Sequence, residues 1–259
     1  MTTSGAALSD PRRARFPEEE WRVRVDLAAV FRLVAHYRMS DLAGGFAGAR
    51  VPGDRPSFVL GAYGVFPEEQ RASDLVGLDL DGRRLDGGNA DVNATGVAMC
   101  SAIFRARPDV CCVLHAHTRA SMVVGALECG LLPISQPAFM LNGAVGTCEY
   151  EFDADEAMCR DFLENALGDR RVVLMRNHGL LTAGRTPAEA FFLAYALNQA
   201  CDVQAAAMQT GQPLHVPPEA DLERWSERFE SSQDYEYDGS REWPALIRLL
   251  DRIDSSYAS

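Results

Sequence analysis

The apolar positions near the start of the chain recur every three or four residues. Between Pro17 and Ser40 they are Trp21, Val23, Val25, Leu27, Val30, Phe31, Leu33 and Val34, a spacing that places them on one face of an amphipathic helix. A Gly- and Ala-rich stretch, Gly44 to Arg50, then gives way to two runs that read as strands closed by turn residues, Phe58 to Tyr63 and Leu75 to Gly82. From Asn93 to Arg107 the helical period returns in Val97, Met99, Ile103 and Phe104, and Pro108 stops it. Val110 to Leu114 is a continuous apolar run, the pattern of a strand buried on both faces, and Val172 to Met175 is a second one leading into Arg176-Asn177-His178-Gly179. Thr118 to Leu127 and Asp155 to Leu167 between them read as helices.

The firmest local signal is Thr186-Pro187-Ala188-Glu189. Thr caps, Pro fills the first helical position and Glu reaches back, so a long helix starts there and runs through Leu197 and Val203 to Thr210, where Gly211 and Pro213 end it. A polar, aromatic tail around Tyr235 and Tyr237 comes next. Helices and strands alternate without an internal repeat, which predicts a single α/β domain.

Length and composition narrow the function. A chain of 259 residues with 47% hydrophobic content can bury one substantial core, and no run reaches the ~20 apolar residues of a membrane span. Met1 to Phe16 lacks the apolar centre of a secretory signal and reads as a disordered lead-in to a domain spanning residues 17–259. A net charge of −12 and a pI near 4.9 speak against nucleic acid, which is bound by cations on its phosphates, and leave a small molecule as the expected partner. Seven cysteines, odd in number, with an adjacent pair and no CxxC spacing, fit reduced thiols in the cytoplasm.

The candidate chemistry lies in three histidines. His115 and His117 stand two residues apart after an apolar run, and an extended chain points both imidazoles to one side. His178 comes after the second apolar run, with Gly179 available for a turn. A lone His-x-His is commonly an ordinary polar pair at a strand end; the third histidine shifts the balance towards a site for zinc, iron, copper or nickel with a coordination position left open. His36, on the first helix, and His215, in a Pro-flanked loop, receive no ligand role. Cys111 and Cys112, inside an apolar run, read as core residues.

The stretch from Arg105 to Thr118, with Cys111-Cys112-Val113-Leu114-His115-Ala116-His117, together with Leu131-Leu132-Pro133 and Arg176-Asn177-His178-Gly179-Leu180-Leu181, resembles the class II aldolase/adducin family in order and spacing, from about Trp21 through Leu249-Leu250-Asp251-Arg252. That resemblance implies an α/β/α sandwich with a central, mostly antiparallel sheet, a divalent metal on His115, His117 and His178, and a homo-oligomer, commonly a tetramer, with residues near Tyr235 reaching a neighbour's pocket. Two departures stand out. The glutamate that sugar-phosphate aldolases of the family carry in Ser-Ser-Glu is Gly96 here, in Ala94-Thr95-Gly96, and a further ligand-like histidine is Cys100. The phosphate loop Gly-Asn-x-Ser-x-Arg reads Gly45-Phe46-Ala47-Gly48-Ala49-Arg50, and the Thr-Gly loop reads Tyr63-Gly64.

These replacements imply an unphosphorylated, partly hydrophobic or aromatic substrate against Phe46 and Tyr63, with Arg50 and Arg176 as carboxylate partners. The expected reaction is decarboxylation or oxidative decarboxylation of a 2-oxo or 2-hydroxy acid on Fe(II) or Zn(II), with dioxygen as co-substrate in the iron case; oxygenase/decarboxylases of aminocoumarin antibiotic assembly share this look. Two alternatives stay open: a zinc aldolase or epimerase with a substitute proton carrier, such as Tyr63, Tyr150, Tyr235 or Tyr237, and a non-catalytic adducin-like interaction module.

Overall fold

The computed structural model describes residues 13–151, 154–231 and 238–259. A seven-stranded sheet forms its centre. In chain order the strands are β1 (Phe46–Val51), β2 (Ser57–Leu60), β3 (Val76–Asp79), β4 (Cys112–Ala116), β5 (Val145–Cys148), β6 (Val172–Met175) and β7 (Leu180–Gly184). They lie in the order β3-β2-β1-β4-β7-β6-β5, antiparallel throughout except for the parallel pair β5 and β6. Helices cover both faces, giving the expected α/β/α sandwich.

Strand alternation explains the two layers. Cys112, Leu114 and Ala116 of β4 face a core completed by α1 (Glu18–His36) and α6 (Pro187–Gln209). Val113 faces the opposite core, where α2 (Ala94–Ala106) supplies Met99, Ile103 and Phe104. Both faces of β4 are therefore dry, which is why Val110 to Leu114 reads as a continuous apolar run. The second core is closed by α5 (Glu156–Asp161) and the π-helical turn Phe162–Leu167, so the helix expected over Asp155 to Leu167 forms and widens halfway. On the first face, α3 (Arg119–Gly125), the short α4 (Gln136–Met140) and α6 pack together, and α8 (Trp243–Ile253) lies on α1. The helix α7 (Glu219–Ser231) meets α4, where Trp225 and Phe139 bring their rings to 4.9 Å.

The capping box at the start of α6 is formed: the Thr186 hydroxyl accepts from the Glu189 amide at 3.1 Å and the Glu189 carboxylate accepts from the Arg185 amide. Other expectations shift. Helix α1 ends at His36, four residues before Ser40, because Arg38 turns the chain at φ 55°. Gly44 to Arg50 contains a central strand, β1, whose small residues hide its period. A side chain on Gly48 would sit 2.8 Å from the Cys100 thiol, so the Gly/Ala composition marks close packing against α2. Strands β5 and β7 and helices α4, α7 and α8 carried no expectation from sequence. Phe16, placed in the lead-in, stacks on Trp21 at 6.0 Å, and the Arg24 guanidinium lies over the Phe16 ring, 3.7 Å from its centre. Arg13–Arg15 of that lead form a short 3-10 turn, and residues 1–12, Tyr235 and Tyr237 lie outside the described residues. Among the described residues, no helix is long and apolar enough to cross a membrane.

One close contact holds the end of α3 against the end of β6. A Cβ on Gly125 would stand 2.7 Å from the Met175 carbonyl oxygen, a backbone atom that cannot swing aside. Gly125→Ala is expected to cost about 1–3 kcal/mol through overpacking, read as a lowered urea midpoint at unchanged slope.

Candidate metal centre

His115 lies within β4, opposite Leu181 of β7 and opposite Phe46 of β1. It belongs to the α2 face of the sheet. Its Nδ1 lies 2.8 Å from the Leu180 carbonyl oxygen. A carbonyl only accepts, so Nδ1 carries the proton and the Nε2 lone pair faces inward. His117 comes just after the end of β4, and its Nδ1 is 3.2 Å from the Asp41 carboxylate, which likewise holds the proton on Nδ1 and turns Nε2 to the centre.

His178 comes from the tight turn between β6 and β7. Asn177 takes the left-handed conformation, φ 53°, that reverses the chain. Gly179, expected to make the turn, serves close packing instead. A Cβ there would stand 2.5 Å from the Ala116 carbonyl oxygen and 3.2 Å from the His117 ring. Its bareness lets the β6–β7 turn close over the end of β4.

The three Nε2 atoms converge. That of His117 lies 2.9 Å from His115 Nε2 and 3.0 Å from His178 Nε2, and all three ligand atoms fall within 4.8 Å of one another. Burial, reinforced by His117 and His178, pushes the His115 imidazole down to about 3; burial and then His117 push His178 down to about 4. Both are neutral near pH 7, so lone pairs point at lone pairs. A cation between them removes that repulsion, and metal–nitrogen bonds of ~2.1 Å are within reach of small ring rotations. The donor set fits a divalent ion. The buried Nδ1 of His178 has no hydrogen-bond partner among the described residues.

A cavity of about 490 Å³ opens over the triad. Phe46, Met99, Met158, Phe162, Met175 and Leu181 form its apolar wall, and Glu149, Tyr150, Glu151 and Asp161 its polar part. The Tyr150 ring meets His178 edge-on at 5.2 Å.

Of the residues named from sequence as substrate contacts, Phe46 lines this cavity, packed 5.0 Å from the His115 ring. Tyr63, 55% exposed, lines a shallow neighbouring hollow together with Phe46. The two arginines are elsewhere. Arg50 donates to the carbonyls of Phe104, Arg107 and Val110 at 2.6, 3.3 and 3.2 Å, tying down the α2–β4 loop. Arg176 donates to the Leu127 carbonyl at 2.8 Å and the Glu128 carboxylate at 3.1 Å. Neither lines the cavity; each is held by backbone carbonyls at the loop it borders. Asn93 caps α2 by accepting from the Gly96 amide at 3.1 Å. Cys100 is buried, and neither His36 nor His215 joins the triad. Asp41 escaped sequence reasoning: it precedes His117 by 76 residues in a loop with no pattern to mark it.

The profile of the family described as Class II Aldolase and Adducin N-terminal domain matches residues 25–205. The chain belongs to the class II aldolase and adducin family. The crystal structure of an aldolase II superfamily protein from Pseudomonas syringae is 38% identical, covers 95% of this chain and 99% of its own, and superposes with a TM-score of 0.90. An L-fuculose 1-phosphate aldolase from Glaciozyma antarctica, 23% identical over 95% of this chain and 98% of its own, shares the fold with a TM-score of 0.77. Rat beta-adducin is 31% identical over 89% of this chain, which spans 34% of the adducin's length.

Gly96 of α2 packs closely on Phe46 of β1. A Cβ on Gly96 would lie 3.0 and 3.1 Å from Cγ and Cβ of Phe46. Those atoms sit at the root of the side chain, so the ring cannot swing clear of a larger residue. A side chain at position 96 would therefore press on Phe46 at the cavity wall. Removing a ligand tests the centre. His117→Ala and His178→Ala should each lower bound metal from about one equivalent to near zero by mass spectrometry, and Asp41→Asn should weaken affinity ~10-fold with the fold intact by circular dichroism.

Proposed function

We propose that this protein is a metal-dependent enzyme that breaks a carbon–carbon bond next to a carbonyl in an unphosphorylated, partly hydrophobic or aromatic 2-oxo or 2-hydroxy acid, by decarboxylation or oxidative decarboxylation. The convergence of three imidazoles in a cavity with a largely apolar wall carries this reading. The bound Fe(II) or Zn(II) would supply electrophilic stabilisation of charge developing on a substrate oxygen, with Fe(II) also admitting dioxygen.

The chain's own residues support it. The sequence contains no lysine, all 25 basic residues being arginine, so a Schiff base with a lysine amine has no side chain to form on. Phe46, Phe162 and Leu181 exclude water from the floor and offer apolar surface to the substrate body. Gly96 can move no proton, which favours loss of carbon dioxide, a cleavage that needs no general base to deprotonate a hydroxyl, over aldol cleavage. Among the described residues, Tyr150, beside His178, is the tyrosine of those considered as substitutes that lines the cavity, and it keeps a zinc aldolase or epimerase as a second reading. The similarity to beta-adducin supports a third, an interaction module without catalysis.

Anaerobic purification and then metal analysis separate the three. Iron with oxygen uptake on an aromatic 2-oxo acid supports the proposal, zinc with aldehyde release supports the aldolase, and protein that stays metal-free after reconstitution leaves the interaction module.

A further inference from the structure

A second cavity, of about 590 Å³, lies at the edge of the sheet between the first turns of α1, the edge strand β3 and the exposed loop 85–89. It shares no lining residue with the cavity over the triad, so what it binds is independent of the metal. Arg24 of α1 stands in its wall, a fully buried cation. Its Nε donates to Glu20 at 2.8 Å, its Nη1 donates to the Leu75 carbonyl at 2.6 Å, and the Phe16 ring covers one face of the guanidinium. Nη2, with two N–H groups to give, has no hydrogen-bond partner among the described residues. An unmet donor on a buried charged group is costly, so Nη2 calls for an acceptor from outside the chain.

A glycine leaves the room for one. Val76 and Leu78 of β3 pack in the core on the α2 face, so Gly77 between them faces α1. A Cβ on Gly77 would stand 3.3 Å from Nη2, and its next neighbours, Cβ and Oδ2 of Asp86, would be at 3.8 Å. An atom the size of a methyl group or an oxygen therefore fits there within hydrogen-bonding reach of Nη2. The charges around it are already matched. Glu20 pairs with Arg24, and the Asp86 carboxylate accepts from the Gly77 and Gly88 amides at 2.8 and 3.1 Å and lies 3.5 Å from Arg84.

We infer that this cavity is a second binding site, for a small uncharged molecule that gives a carbonyl oxygen to Nη2 of Arg24 and lays an apolar body against Phe16, Val51, Val65 and Leu85. A carboxylate in the same place would stand beside Asp86 and give up its hydration for a guanidinium already paired with Glu20. Water is the rival occupant, since one molecule could bridge Nη2 and Asp86. The volume and the apolar lining suit a larger guest.

The test titrates the full chain with acetophenone, benzoate and ethylbenzene, which share a ring and differ in the group offered to Nη2. Binding is read locally, as protection of the peptides covering residues 76–90 in hydrogen exchange followed by mass spectrometry, so a compound that also enters the cavity over the triad does not disturb the reading. Acetophenone should half-protect these peptides at a concentration about tenfold lower than benzoate, and ethylbenzene at matched concentration should protect them far less. Gly77→Ala sets a methyl group where the oxygen would sit and should weaken the protection by acetophenone about tenfold. Should that variant fail to fold, the ranking of the three compounds on the native chain decides alone. A ketone that protects no better than benzoate or the hydrocarbon, or whose protection survives Gly77→Ala, overturns the inference. So does the absence of protection by all three, which leaves the space to water.

Discussion

Everything at the candidate site depends on the antiparallel pairing of β4 with β7. That ladder sets His115 opposite Leu181 and brings the Leu180 carbonyl to Nδ1 of the same imidazole, so one local geometry fixes where the ring is, which tautomer it takes and which way its lone pair faces. It also carries the β6–β7 turn, and with it His178, over the end of β4. A slip of one residue would send His115 to the α1 face of the sheet and leave the other two imidazoles without it. The dry cores on both sides of β4 guard against that slip.

The site was legible in the sequence where chemistry and spacing coincided. His115, His117 and His178 announce themselves as polar residues at the ends of apolar runs, and the family resemblance supplied the sandwich around them. The capping box of α6 was equally plain, since Thr186 and Glu189 act within one turn of chain. What failed to show was long-range. β1 is written in Gly and Ala because α2 lies against it, and no period survives such a composition. Asp41 acts on His117 across 76 residues.

The arginines make the opposite case. Arg50 and Arg176 were reasonable partners for an acid on the strength of their places beside the recognised motifs. Their guanidinium groups go to backbone carbonyls at the loops they border, a demand no linear pattern reveals. Charge type alone predicts neither direction nor partner.

The contact between Gly96 and Phe46 also bears on how such a chain can change. Glutamate introduced at position 96 meets the aromatic side chain at its base, while a small residue introduced at position 46 first would leave a void beside the His115 ring. Because the two side chains share one space, the effect of a substitution at either position depends on the residue at the other.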